Sequence, residues 1–327
     1  AIGVLLCASK DNEVVEYAEK ELFNISTFTQ SKEPKHISRC VDQYLIEIEK
    51  IKNHKKLLSG VASGFTSIDR ITGGWQPKDL IILAGRTSMG KTAMALQLAK
   101  GSAENNFPVA IFSLEMSEEQ LTGRYLSGIS GKSNMELRAG KVDLMKLGAD
   151  SEQIASLPIY IDDTPMISLF EMRSKVKKLI VQHGIQIIVV DYLQLMSGDK
   201  SKNSREQEVS SISRGLKAIA KEFNIPVIAL SQLNRGTEDH KEKKPMLSDL
   251  RESGAIEQDA DIVAFVYRPA YYGLKTADVN GDEYSSQGLM VFDIAKNRNG
   301  ACIALPLKHN EALTEITDFQ KVEECAF

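Results

Sequence analysis

Short apolar runs alternate with longer amphipathic stretches along most of this chain. The runs fall at 80–84, 109–113, 159–161, 185–190, 227–230, 262–266, 289–294 and 303–307. The first six are mostly continuous rather than alternating, the pattern of strands covered on both faces. Between several of them lie segments with a helical repeat, at 92–101, 117–127, 169–182 and 206–223. Strand and helix in alternation predict an α/β domain with a largely parallel, twisted sheet flanked by helices. Upstream of residue 60 the pattern is purely helical. At 12–25, Val14, Val15, Ala18, Leu22 and Ile25 form one face and Glu16, Glu19, Lys20 and Glu21 the other. A polar stretch ending in Pro34 follows, a linker by composition. A second helix is predicted over 36–58, with Ile37, Val41, Leu45, Ile48 and Ile51 on one face. The 12–25 helix is too short to be stable alone in water, so its stripe needs a partner surface, on its own domain or on a neighbouring subunit.

The chain has 327 residues, 43% of them hydrophobic, enough for one large domain or two ordinary ones. Forty Lys and Arg against 44 Asp and Glu give a net charge of −4. This argues against a surface coated in basic charge, but not against a local basic patch. Cys7, Cys40, Cys302 and Cys325 are widely separated and the five histidines scattered. A disulfide framework or Cys/His zinc site is not indicated, and a reducing cytosol fits. No run approaches the ~18–20 apolar residues of a membrane span. The apolar run 2–8 is short and enters Lys10-Asp11-Asn12-Glu13, unlike a secretory signal. Opening on Ala1 fits Met removal, or a fragment that has lost an N-terminal domain.

The strongest local signal is Gly85-Arg86-Thr87-Ser88-Met89-Gly90-Lys91-Thr92, a complete G-x-x-x-x-G-K-[ST] sequence. An apolar strand runs into it and a helix with Ala93, Ala95, Leu96, Leu98 and Ala99 runs out. The glycines let the backbone wrap an anion, and its N–H groups and the helix N-terminus point at phosphate. Lys91 is placed to reach the β- and γ-phosphates of ATP or another nucleoside triphosphate, and the Thr92 hydroxyl to ligate Mg²⁺. Three other strands end on polar residues. Glu115 follows 109–114, ahead of a helix start at Ser117 with Gln120 placed for a capping box. Asp191 ends 187–190 and suits a Mg²⁺-holding acid. Gln232 ends 227–231. Simpler readings exist, an acid favoured near a helix N-terminus for Glu115 and a turn residue for Asp191. In a doubly wound sheet all four ends share one cleft, where Glu115 can orient water, Asp191 hold metal and Gln232 sense the γ-phosphate.

The ordered set of motifs at 65–74, 85–92, 113–116, 191–195, 231–233, 249–261 and 295–300 resembles the motor domain of DnaB-type replicative helicases. The likeness covers roughly residues 10–310, and the 249–261 segment separates this family from other RecA-like ATPases. It implies a RecA-like P-loop ATPase core over 35–327, preceded by a linker helix and linker at 1–34 that end a missing N-terminal domain. It also implies a cytoplasmic protein of a bacterium or infecting phage. That protein forms a homo-oligomeric ring, usually hexameric, moves 5′ to 3′ on single-stranded DNA and separates strands at a fork, with a primase and a helicase loader as partners and no membrane. Under the resemblance, Glu115 is the catalytic base, Asp191 the Walker-B acid and Gln232 the γ-phosphate sensor. Lys296 and Arg298 are offered in trans to a neighbour's ATP, with Arg298 the arginine finger.

The resemblance also places DNA contacts at Arg251, Glu252 and Gly254. An arginine and a glycine N–H can each bind a phosphate oxygen, whereas Glu252 can only orient a cation. Loop 197–205 offers Lys200, Lys202 and Arg205, with solvated surface as the simpler reading. Neither loop is aromatic, so backbone tracking is expected rather than base stacking. The helix at 12–25 would dock on an adjacent motor domain. A polar, hairpin-like insert at 276–287 and the tail after Asn310 carry no motif. Alternatives are a RecA-like recombinase or DNA-stimulated ATPase, and a nucleotide-gated DNA clamp. Glu115 and Arg298 favour turnover over gating.

Overall fold

The computed structural model describes residues 34, 36–53, 58–196, 205–233 and 244–319. The helix predicted at 12–25 and the loop residues Lys200 and Lys202 lie outside them.

Among the described residues, helix α1 (Ile37–Asn53) comes first. Ile37, Val41, Leu45 and Ile48, its predicted apolar face, are 45–70% exposed, so this stripe is uncovered among the described residues. Helix α2 (Thr66–Thr72), β1 (Leu80–Gly85), α3 (Lys91–Glu104) and β2 (Val109–Ser113) follow. Then come α4 (Glu118–Ser130), α5 (Asn134–Arg138), α6 (Leu144–Ala155), β3 (Ile159–Asp162), α7 (Leu169–His183), β4 (Ile187–Asp191), α8 (Arg205–Phe223) and β5 (Val227–Gln232). The chain continues through α9 (Gly254–Asp259), β6 (Ile262–Tyr267), β7 (Thr276–Val279), β8 (Asp282–Ser285), β9 (Leu289–Asn297), β10 (Ile303–Asn310) and β11 (Glu315–Asp318).

Among the described residues nine strands form one sheet in the order β11-β10-β9-β6-β1-β5-β4-β2-β3. The six from β6 to β3 are mutually parallel, and β9, β10 and β11 add on antiparallel. Every residue of β1, β2, β4 and β6 is buried, as their continuous apolar runs predicted. The pleat sorts them by parity. Ile81 and Leu83 face Met94 and Leu98 of α3, while Leu80 and Ile82 join the layer containing Met172 and Val176 of α7 and Ile212 and Leu216 of α8. Burial of an apolar side chain contributes roughly 1.5–3 kcal/mol, so these two faces dominate stability.

Local signals set the boundaries. The capping box read at Ser117 and Gln120 starts α4. The 276–287 insert is a hairpin whose two-residue turn, Asn280-Gly281, has φ of 59° and 92°, a type I′ turn that suits this dipeptide. It rests on a small cluster of Met89, Tyr267, Val279, Leu289 and Val291. The tail after Asn310, unreadable as sequence, supplies edge strand β11. Asp318 on that strand accepts hydrogen bonds from the Thr66 amide at 2.9 Å and the Ser67 hydroxyl, capping α2 from 252 residues away.

Candidate active site

The register of the parallel strands decides which side chains meet. Gly85 pairs with Gln232, and Ser113 with Asp191. The loop after β1, the end of β5, the end of β4 and the residues after β2 therefore sit side by side at the carboxyl edge of four strands, with β1, β5, β4 and β2 adjacent in that order. A cavity of roughly 460 Å³ opens there, lined by Thr87, Ser88, Gly90, Lys91, Thr92, Glu115, Asp191 and Gln232 among others. The volume suits a small-molecule site.

The loop between β1 and α3 is shaped to hold an anion. Ser88 and Gly90 take positive φ, 65° and 91°, the tight backbone of a loop that can wrap an anion. A side chain at Gly90 would be strained by this φ, and its Cβ would lie 2.6 Å from Met290 Cε. Met89 is 1% exposed and turned into the cluster beneath the hairpin, so it anchors the loop and offers a ligand only its backbone. Lys91 Nζ donates to the carbonyls of Gly85 at 2.8 Å and Arg86 at 3.0 Å. Burial lowers Lys91 to a pKa of about 8 against the pull of Asp191 and Glu115, with Arg86 adding to the fall.

Thr92 Oγ1 donates to Asp191 Oδ2 at 2.8 Å. Asp191 is 4% exposed. Burial raises it to a pKa of about 6, the Thr92 hydrogen bond, Lys91 and Arg124 opposing the rise and Glu115 adding to it. A hydroxyl and a carboxylate so close are an oxygen pair of the kind Mg²⁺ takes alongside phosphate oxygens and water. Among the described residues no cluster of three or more His, Cys, Asp and Glu could hold a metal by itself. Gln232 is exposed, and its Nε2 donates to Thr87 Oγ1 at 2.9 Å, joining β5 to the phosphate loop. Gln194 steadies that end, donating to Ser231 Oγ at 3.0 Å.

Several cavity residues escaped the sequence reading. Arg268 follows β6 and forms a two-pronged ion pair with Glu311, at 3.1 and 2.6 Å, while its Nη1 reaches the Ser88 carbonyl at 3.4 Å. His309 and Glu311 lie at and beyond the end of β10, which is antiparallel to β9 and so points the same way as β6. Burial lowers His309 to a pKa of about 4, aided by Arg268 and opposed by Glu311, so its ring is neutral at pH 7. Arg124 on α4 also lines the cavity. The signal for Arg268 was present, a polar residue at the end of an apolar strand. That for His309 was not, because β10's direction is a property of the sheet.

Lys296 and Arg298 lie elsewhere. In the antiparallel register Asn297 pairs with Ile262, the first residue of β6, so both stand at the amino edge of the parallel strands. Across the six residues of β1 that edge is about 17 Å from the phosphate loop. Lys296 Nζ donates to the carbonyls of Glu257 at 2.6 Å and Ala260 at 2.8 Å. Arg298 is 63% exposed and reaches Asp261 Oδ1 at 3.2 Å. Arg251 and Glu252 fall in a 3₁₀ turn (Leu247–Ser253), and Gly254 begins α9. Arg205 begins α8. The side chains of Arg251, Glu252 and Arg205 lie outside the described residues.

A phosphate loop at the carboxyl edge of a doubly wound sheet, facing a hydroxyl–carboxylate pair, defines a RecA-like P-loop nucleotide-binding domain. Residues 60–318 match the family described as DnaB-like helicase C terminal domain, and the chain belongs to that family. It is 44% identical over 292 residues to the replicative DNA helicase DnaB of Geobacillus stearothermophilus, covering 88% of this chain and 63% of that one. It is also 44% identical over 313 residues to a probable replicative DNA helicase of Trieres chinensis, covering 94% and 68%. Thus the chain spans about two thirds of the length of these relatives. Among solved structures, one described as an ATPase domain superposes with a TM-score of 0.78 at 35% identity, over 86% of this chain and 99% of that one. A DnaB-like replicative helicase studied for its interactions with primase gives 0.77 at 33%, over 94% and 72%.

Proposed function

We propose that this chain is the ATP-driven motor of a replicative DNA helicase, working as a ring on single-stranded DNA with each ATP held between two subunits. One observation supports the reading: the residues proposed as the two halves of the catalytic set stand on opposite edges of one sheet. The carboxyl edge holds a phosphate cradle and a place for metal, and the amino edge presents Lys296 and Arg298. A span of about 17 Å is beyond the reach of an arginine side chain, so a second subunit must bring the pair to the phosphates. A guanidinium arriving in trans stabilises transition-state charge and makes hydrolysis report on subunit contact.

In this reading the amides of 86–90 and Lys91 bind the phosphates. Thr92 and Asp191 would hold Mg²⁺, which would neutralise phosphate charge there. Glu115 takes a proton from the attacking water, and its exposure at the cavity wall keeps it within reach of that water. Gln232 touches Thr87 and is placed to feel the γ-phosphate. Arg251, Glu252 and the Gly254 amide line the DNA channel, with Lys200, Lys202 and Arg205 as a second contact. The likeness to replicative helicases supports this role over a recombinase or a passive clamp. Residues 1–34 are proposed as a linker arm docking on the next motor, and the cytoplasm as its place of work. A hexamer, a helicase loader and a primase are the proposed assembly and partners, the last supported by the neighbour solved for its primase interactions.

A forked duplex with either a 5′ or a 3′ tail tests the reading, with native mass measured on the same preparation. Displacement only with the 5′ tail, by a hexameric species, is expected. Robust displacement by a monomer, or only with the 3′ tail, would overturn it.

A further inference from the structure

A finger that completes a neighbour's site must be exposed, yet arrive in one orientation. Fixing a long arginine side chain costs rotamer freedom, so a finger left loose loses catalytic power at each encounter. The surroundings of Asp261 address this. The residue is 3% exposed, and its carboxylate is fixed by two donors on one oxygen, the Leu80 amide at 2.8 Å and the Lys217 ammonium. Lys217 is itself held by the Lys78 carbonyl at 2.8 Å. The other oxygen, Oδ1, receives Arg298, whose own amide donates to the Asp261 carbonyl at 2.9 Å.

We propose that Asp261 is the positioning residue of the trans-acting pair, presenting Arg298 to the neighbouring subunit's ATP from a buried, pre-fixed carboxylate. This rests on the reading of Arg298 as the finger. The division of oxygens makes the presentation reversible. When Arg298 transfers to phosphate, Asp261 keeps Lys217 and the Leu80 amide, so no unpaired buried charge is left behind. The companion cation is fixed by the same segment, because Lys296 is held by the carbonyls of Glu257 and Ala260, the second of them adjacent to Asp261 in the chain. Helix α9, which ends at Asp259, begins at Gly254, a proposed DNA contact. One short segment thus joins the proposed DNA loop to both cations offered to the neighbour.

The test compares Asp261→Asn, Arg298→Ala and the double variant in the full-length ring with single-stranded DNA present. Asp261→Asn is expected to lower kcat for ATP about 10- to 100-fold while the KM for ATP stays within about twofold, since misplacing a catalytic group by about 1 Å can cost that much. On the Arg298→Ala background the same change is expected to cost nothing further, because both act through one guanidinium. Losses that multiply, a rise in KM, or full activity of Asp261→Asn would each overturn the proposal. If Asp261→Asn does not fold, Asp261→Glu, which keeps the charge but displaces it by one methylene, carries the same comparison. Should Arg298→Ala alone turn over ATP normally, the finger assignment falls and this inference with it. Loss in Arg298→Ala with none in either Asp261 variant sinks this inference alone.

Discussion

The two edges of the sheet are built on different principles. At the carboxyl edge, groups from many separate strands converge on an open, concave cavity. Burial pushes Lys91 down to a pKa of about 8 and Asp191 up to about 6, so each is held nearer neutrality than in water. At the amino edge one continuous stretch, 254–261, fixes two cations, Lys296 half-buried on the carbonyls of Glu257 and Ala260 and Arg298 63% exposed. The first edge is a receptacle completed by ligand. The second is a projecting group completed by another surface. Under the proposed function the two edges are complementary, and the contrast is what a ring of subunits would use.

The largest expected effect breaks the receptacle. Lys91→Ala should lower ATP turnover on the order of 10³-fold by removing the cation that meets the phosphates. Normal turnover in a steady-state phosphate-release assay would remove the cavity from catalysis. Arg298→Ala should come next, cutting kcat by up to about 10³-fold with nucleotide affinity largely kept. Equal loss of binding, read by titration with a fluorescent nucleotide, would make Arg298 structural and erase the contrast between the edges. Arg251→Ala should weaken single-stranded DNA binding about tenfold and reduce its salt slope by about one. An unchanged slope takes that loop out of the channel.

The smallest effect concerns Asp79, beside the amino-edge cluster. Burial raises it to a pKa of about 6, with Asp261 adding to the rise and Lys217 and Arg298 opposing it. A carboxylate with a raised folded-state pKa contributes stability that is full below its unfolded value near 3.8 and lost as pH rises through 6. Asp79→Asn should therefore stabilise the domain at about pH 7.5 by about 1 kcal/mol, a modest figure because the group is only half-buried and screened. The gain should vanish near pH 4. Equal gains at both pH values, by thermal melting, would show that charge is not the cause.

Much of the receptacle was legible because its residues sit at the ends of apolar runs. Glu115, Asp191 and Gln232 each follow such a run, and the phosphate loop has its own spacing. The eight strands read from hydrophobic pattern all form, and the 276–287 insert is the hairpin it resembled. What escaped depends on distant parts of the chain. Strand β11 has one buried residue of its own, Ile316, and its Asp318 acts as a cap only because α2 lies beside it. Helix α6 carries Leu144 and Met145 on its surface, so its apolar periodicity was weak. Arg298 looked ordinary by composition. Only the antiparallel register of β9 against β6 sets it at the far edge.

That sheet has a mechanical consequence. Its two apolar layers are close-packed and do not deform continuously, so each subunit moves as one body. With the phosphate loop and the Arg298 edge about 17 Å apart on that body, a tilt of about 10° displaces one end relative to the other by about 3 Å. That is as large as a hydrogen bond is long. In the proposed ring, slight rocking of one subunit would be enough to engage one nucleotide and release the next, turning the length of a strand into the arm of a lever.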